Sequence, residues 1–170
     1  VLNDVVVRTA HPAKKMGWTR RAETGYRLSS PVLCPRSRPM WGSGESPTRV
    51  LIVDDNVDTA ESLALLLEVC GHEVRAVHAG ADAVRAAGEF RPDAVLLDIG
   101  LPDVDGFEVA RRLRAAPGFR DVLLVAATGY NRPRDRDRAA EVGFDCYLVK
   151  PFDPTRLSHL LAARRPVAAA

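Results

Sequence analysis

Apolar residues in this chain come in short runs, and each run stops at a polar group. Val50-Leu51-Ile52-Val53 ends at Asp54-Asp55, and Ala94-Val95-Leu96-Leu97 ends at Asp98. Val122-Leu123-Leu124-Val125 leads to Thr128, and Tyr147-Leu148-Val149 leads to Lys150-Pro151. Runs this short, apolar at successive positions, read as strands covered on both faces. Helical patterns lie between them, so the strands are expected to run parallel. Parallel strands all end at one edge of a sheet, where ligands of open α/β sheets bind. Three carboxylates, a hydroxyl and an ammonium, far apart in sequence, are thereby expected to converge.

The pattern resolves into five strand–helix units. Asn56 to Cys70 reads as a helix with Leu63, Leu66 and Leu67 on one face and Gly71 as its stop. Glu73 to Val77 is a shorter second strand, followed by a helix around Ala81–Ala87. A third helix starts at Asp105, with Glu108 at the spacing of a capping box. Asp153-Pro154 opens the last helix as N-cap and first helical residue. The fourth helix, near Pro133 to Val142, contains Arg134-Asp135-Arg136-Asp137-Arg138, which leaves only Ala139, Ala140 and Val142 to pack. Its i,i+3 charge pairs add only about 0.2–0.5 kcal/mol each, so it should be the least firmly held.

Charge divides the chain. Residues 1–48 carry 8 basic and 3 acidic residues, whereas residues 49–170 carry 16 basic and 19 acidic ones. The globular part is therefore not a basic nucleic-acid surface, and no direct DNA binding is expected of it. No apolar run approaches the roughly 18 residues of a membrane span, and no signal-peptide core is present. Cys34, Cys70 and Cys146 lack metal-ligand spacing and read as reduced thiols of a cytoplasmic protein.

The first 48 residues are rich in Arg, Pro, Ser and Gly. Residues 38–47 read as linker, and Val5-Val6-Val7 has no partner nearby. The segment is expected to be disordered, with a binding arm as the alternative, and Met40 is a sensible start for the globular part. Residues 49–163 form the expected domain and 164–170 a short tail, so no output domain is expected after it.

Lysine usage singles out one position. Of the 16 basic residues from Arg49 onward, 15 are Arg, and the exception is Lys150. A compact ammonium suits a crowded anion site where a planar guanidinium would not fit.

Residues 49–163 closely resemble the receiver domain of two-component response regulators. The resemblance rests on Val53-Asp54-Asp55, on Asp98-Ile99-Gly100-Leu101-Pro102 running into Asp105-Gly106, on Ala127-Thr128-Gly129, and on Tyr147-Leu148-Val149-Lys150-Pro151-Phe152. Each motif is weak alone; all four, in order and each closing a strand, are specific. The resemblance implies a flavodoxin-like, doubly wound α/β fold: a three-layer sandwich whose five-stranded parallel sheet has the order 2-1-3-4-5. It implies phosphorelay signalling, with Asp98 accepting a phosphoryl group from a histidine kinase or histidine phosphotransfer protein. Asp54, Asp55, Asp98 and the Gly100 carbonyl would hold Mg²⁺. Thr128 and Lys150 would contact the phosphoryl oxygens, and Tyr147 would change exposure on activation. Gly100 and Tyr130 occupy positions thought to set dephosphorylation rate. The output would be protein contact through the face made by helix four, strand five and helix five, with no membrane involved.

The chemistry accounts for the residue types. Clustered carboxylates repel one another, and a hard divalent cation with oxygen ligands relieves this. Phosphoryl transfer needs positioning and charge stabilisation, and a carboxylate nucleophile forms an acyl phosphate. Gly129 is expected to keep the approach to Asp98 uncrowded, and Pro102 to fix the turn after it. Pro151 is expected to be structural. Plainer roles exist: Asp54-Asp55 also fits a helix N-cap, Tyr147 fits strand packing, and Asp103 and Asp105 fit loop capping. An EF-hand is excluded because Asp103-Val104-Asp105-Gly106 lacks the remaining ligand positions. A metal-dependent phosphatase is the competing class, but nothing suggests a substrate pocket. The chain is expected to catalyse only its own phosphorylation and slow dephosphorylation.

Overall fold

The structure, a computed structural model, describes residues 6–9, 17–20, 47–129, 133–153, 157–158 and 160–161. The expectations for the linker at 38–46, Cys34, Tyr130, Pro154 and the tail at 164–170 lie outside the described residues. In chain order the elements are β1 (Val6–Thr9), β2 (Gly17–Arg20), β3 (Arg49–Val53), α1 (Val57–Val69), β4 (Glu73–Val77), α2 (Gly80–Phe90), β5 (Ala94–Asp98), α3 (Gly106–Ala115), β6 (Leu123–Thr128), α4 (Pro133–Val142) and β7 (Cys146–Val149). Leu157, Ser158, Leu160 and Leu161 are also helical.

The apolar runs became β3, β5, β6 and β7, and all pair in parallel. With β4 on the outside of β3, the order β4-β3-β5-β6-β7 is the expected 2-1-3-4-5. Alternate residues feed two cores. Leu51, Val53, Val95, Leu97, Leu124, Ala126 and Tyr147 pack towards α2, α3 and α4. Val50, Ile52, Leu96, Val125 and Leu148 pack towards α1 and the C-terminal Leu157 and Leu161. Burial on both faces is why these strands carry no polar alternation. β4 lies at the edge and is only partly covered, which matches its mixed sequence.

Two antiparallel strands extend this sheet. β1 pairs with β2 and also with the outer edge of β7, which gives the order β2-β1-β7-β6-β5-β3-β4. An expectation of disorder for residues 1–48 did not anticipate them; Val6 and Val7 find partners in β2 and at the edge of β7.

Helix details depart from expectation in physically simple ways. Asn56 caps α1 by accepting from the Thr59 N–H at 2.9 Å, and Gly71 follows its end at φ +89°. The buried stripe of α1 is Ala60, Leu63 and Leu67; Leu66 lies beside it, 39% exposed, and is not a core residue. Asp105 caps α3 through the Phe107 N–H at 3.0 Å, but Glu108 does not complete a capping box. Its carboxylate pairs with Arg111 at 2.7 Å and Arg112 at 3.0 Å instead. Among the described residues no helix is long and apolar enough to cross a membrane.

Candidate functional site

β3 and β5 are neighbours, so their C-terminal ends bring Asp54 and Asp98 side by side. Asp54, Asp55 and Asp98 each offer a carboxylate oxygen within 4.8 Å of the others. Asp54 and Asp98 are buried, while Asp55 reaches solvent. Lys150, at the end of β7, extends its ammonium between the two buried carboxylates. Nζ lies 2.6 Å from Asp54 Oδ2 and 2.5 Å from Asp98 Oδ2. Burial opposes the Lys150 charge, but hydrogen bonds to Asp54 and Asp98 outweigh it and raise its pKa.

Backbone donors hold the other carboxylate oxygens. Asp98 Oδ1 accepts from the Gly100 N–H at 2.8 Å, and Asp54 Oδ1 accepts from the Asn56 N–H at 3.1 Å. Both aspartates are thus fixed on two sides before any ligand arrives. The exposed His78 brings Nδ1 to 3.1 Å from the Asp54 carbonyl, a contact that sequence reasoning did not assign. Lys150 is itself positioned by its N–H, which donates to the Thr128 carbonyl at 2.8 Å, and the Lys150–Pro151 bond is cis.

Thr128 closes β6 and is buried. Its side chain is hydrogen-bonded to the hydroxyl of Tyr147, which is fully buried. The ring therefore lies inward in this structure. Burial is the main cause that pushes the Tyr147 hydroxyl up to about 12.

The glycines differ in what surrounds them. A Cβ at Gly129 would meet nothing within 4 Å, so the space beside it is open. Gly106 is the tight one: a Cβ there would collide with the Asp98 carbonyl and come 2.6 Å from Ile99 Cα. Only glycine lets α3 begin against the backbone that carries Asp98. Gly100 is also close, with a Cβ position 3.5 Å from Asp98 Oδ1. Pro102 is exposed, between Leu101, which is buried in the core, and Asp103. Asp103 does cap, as its sequence position allowed. Its two oxygens accept from the Gly80 and Ala81 N–H groups, at 3.0 and 2.9 Å, and these backbone bonds lower its pKa. It caps α2 across the fold.

A parallel sheet with acidic groups and one lysine at its C-terminal crevice defines a class of signalling protein. The chain belongs to the response regulator receiver domain family, whose model matches residues 50–162. Members of this family act as phosphoacceptor switches in two-component signalling and bind Mg²⁺ at an acidic pocket. Here Asp54, Asp55 and Asp98 form such a cluster.

The transcriptional regulatory protein PrrA of Mycobacterium leprae is 44% identical over 110 residues, covering 65% of this chain and 46% of that protein. The DNA-binding response regulator MtrA of Mycobacterium tuberculosis is 40% identical over 116 residues, 68% of this chain and 50% of that protein. The chain thus spans about half the length of these curated relatives. Among solved structures, chemotaxis response regulator CheY4 of Vibrio cholerae matches with a TM-score of 0.65 at 27% identity, over 70% of this chain and 99% of that one. The receiver domain of sensor histidine kinase PA1611 from Pseudomonas aeruginosa matches with a TM-score of 0.64 at 33% identity, over 69% of this chain and 96% of that one. That structure has a magnesium ion coordinated in the active-site cleft.

Proposed function

We propose that Asp98 accepts a phosphoryl group in a magnesium-dependent phosphorelay, and that the phosphoryl changes a protein-binding face. The observation that carries this reading is the shared ammonium: Lys150 sits within hydrogen-bond distance of both Asp54 and Asp98, beside Asp55. Three carboxylate oxygens within 4.8 Å make a donor set that fits a hard cation. Asp54, Asp55, Asp98 and the Gly100 carbonyl are the residues to hold it. When bound, Mg²⁺ supplies charge neutralisation on the transferring phosphoryl oxygens.

The chain's own residues do the rest. A carboxylate oxygen of Asp98 attacks the phosphorus of a phosphohistidine on a partner kinase or phosphotransfer protein. The O–P bond forms as the N–P bond breaks, and the imidazole nitrogen keeps the electron pair. Asp98 Oδ1 stays held by the Gly100 N–H, which orients the carboxylate for in-line attack. Lys150 leaves Asp98 Oδ2 and moves onto a phosphoryl oxygen, a shift its flexible stem permits. The Thr128 hydroxyl turns from Tyr147 to another phosphoryl oxygen. Loss of that bond releases Tyr147 and shifts the face of α4, β7 and the C-terminal helical residues, where a partner reads the signal.

Incubation with Mg²⁺ and acetyl phosphate tests this. The protein should gain one stable phosphoryl group by intact mass, and Asp98→Asn should gain none. Full labelling of the variant sinks the assignment. Steady phosphate release without a stable label would point to a phosphatase instead.

A further inference from the structure

The outer edge of β7 is where the five-stranded parallel sheet would otherwise stop. An edge strand leaves backbone N–H and C=O groups unpaired, and this one is apolar as well as short. In this chain β1 covers it in antiparallel register, with Val6 opposite Tyr147 and Val7 opposite Cys146. β2 continues the addition beyond β1 and comes into contact with α4. The same two elements, β7 and α4, make up most of the face assigned above to a partner.

We propose that the β7 edge and α4 form a strand-accepting surface occupied by this chain's own residues 6–9 and 17–20, which a partner must displace. Three observations support the occupant. The pairing with β7 is only two residues long, which suits a segment that has to leave. β2, paired with β1, reaches α4, so the two strands together cover both elements of the surface. The third is position. Val6 is paired with the backbone of Tyr147, whose hydroxyl is hydrogen-bonded to Thr128. Thr128 closes β6, whose preceding residue, Ala127, is the cross-strand partner of Asp98. A phosphoryl that takes the Thr128 hydroxyl therefore loosens the residue against which β1 is docked. This coupling rests on the phosphorelay reading; the docking does not.

Cross-linking in the full chain tests both. Directly opposed residues of an antiparallel pair have Cα atoms roughly 4.5–5.5 Å apart, inside the roughly 4.4–6.8 Å span of a disulfide. Val7→Cys, in a background with Cys34→Ser and Cys70→Ser, should therefore bond Cys146 within one chain under mild oxidation with diamide. Arg8→Cys, one residue out of register, should react about tenfold more slowly, because neighbouring strand residues face opposite ways. A bond formed only between two chains, or equal rates for the two variants, overturns the register. Amide exchange on the unsubstituted chain gives an independent reading. Residues 6–9 should exchange about tenfold more slowly than an unstructured chain; exchange at the unstructured rate overturns the docking whatever the thiols do. After labelling with acetyl phosphate, the Val7→Cys cross-link should form more slowly. An unchanged rate in protein that carries the phosphoryl removes the coupling alone. Failure to label removes the phosphorelay reading and leaves the cross-link standing.

Discussion

Tyr147 concentrates several properties in one side chain. It is fully buried, bonded to Thr128, and has the Arg136 guanidinium 5.8 Å from its ring centroid. Burial first, and then the charge of Asp135, raise its pKa to about 12, against the opposing effects of Arg136 and Thr128. A free tyrosine titrates near 10. Below about pH 10 both folded and unfolded chains keep the proton, and stability does not depend on it. Between there and about 12 the unfolded chain releases the proton first. The fold therefore loses stability across that window, on the order of 2 kcal/mol. Tyr147→Phe should abolish that part of the loss, read by denaturant titration from pH 9 to 12, and should remove the highest step in tyrosinate absorbance. Lys150 also loses its stabilising proton in strong alkali, but it does so in both proteins, so the difference isolates Tyr147. Equal slopes for the two would place the hydroxyl in water. The aspartates and Lys150 were legible from sequence because each ends an apolar run, and parallel runs end together. Asp103 was legible as a capping residue but its helix was not: its bonds to Gly80 and Ala81 depend on the path of a loop across more than twenty residues. Nor was the difference between Gly129 and Gly106, since a glycine's reason lies in what surrounds it and not in its own spacing.

At the scale of an element, α4 shows how a helix with few apolar residues is held. Ala139 is buried, and arginines supply much of the remaining contact. Arg138 lies 4.0 Å from the Phe107 ring centroid and donates to Asp105 Oδ2 at 2.8 Å. One side chain thus ties α4 to both the cap and the first turn of α3. A charge run read as solvated is in part a packing surface, because a guanidinium stacks on a ring as flatly as another ring does. Periodicity counts only apolar residues and misses this. The stacking contributes about 0.5–1 kcal/mol and the exposed ion pair about 0.2–1 kcal/mol. Arg138→Ala should accordingly cost about 1 kcal/mol in global stability. It should speed amide exchange across residues 134–142 about fivefold, as local opening becomes easier. Exchange unchanged by the substitution would mean that Ala139 and Val142 hold the helix by themselves. The fate of Glu108 follows the same logic: two arginines in the next turn, Arg111 and Arg112, outcompeted the capping box.

Over the whole molecule, the five-stranded core was legible and its two-stranded extension was not. Both faces of the core strands are covered, which leaves long apolar signatures. β1 and β2 are four residues each, too short to leave a clear alternating pattern in the sequence. At the opposite edge of the sheet from the aspartates, one arginine ties the end of α3 to the starts of β6 and β7. Arg114, at the end of α3, donates to the carbonyls of Phe119, Arg120 and Val122, to the Gly143 carbonyl at 3.0 Å, and to Asp145 Oδ2 at 2.7 Å. The same Asp145 oxygen accepts from the Leu124 N–H at 2.9 Å. Removing one partner from a largely buried, hydrogen-bonded pair leaves the other charge uncompensated. Arg114→Ala should therefore cost about 3–5 kcal/mol in chemical denaturation. A loss of under about 1 kcal/mol would make it an ordinary surface arginine.

That arginine has a mechanical consequence. Gly143 and Asp145 are the residues through which α4 passes into β7, so the helix is bolted down where it ends. Its first turn comes after the Thr128 loop at the acidic edge. A displacement there is expected to swing the helix about Gly143, like a door on a hinge, rather than slide it bodily. The amplitude is then largest at the Asp135 and Arg136 end and smallest beside Arg114. A sub-ångström event at one edge of the sheet thus acquires a direction as well as a size.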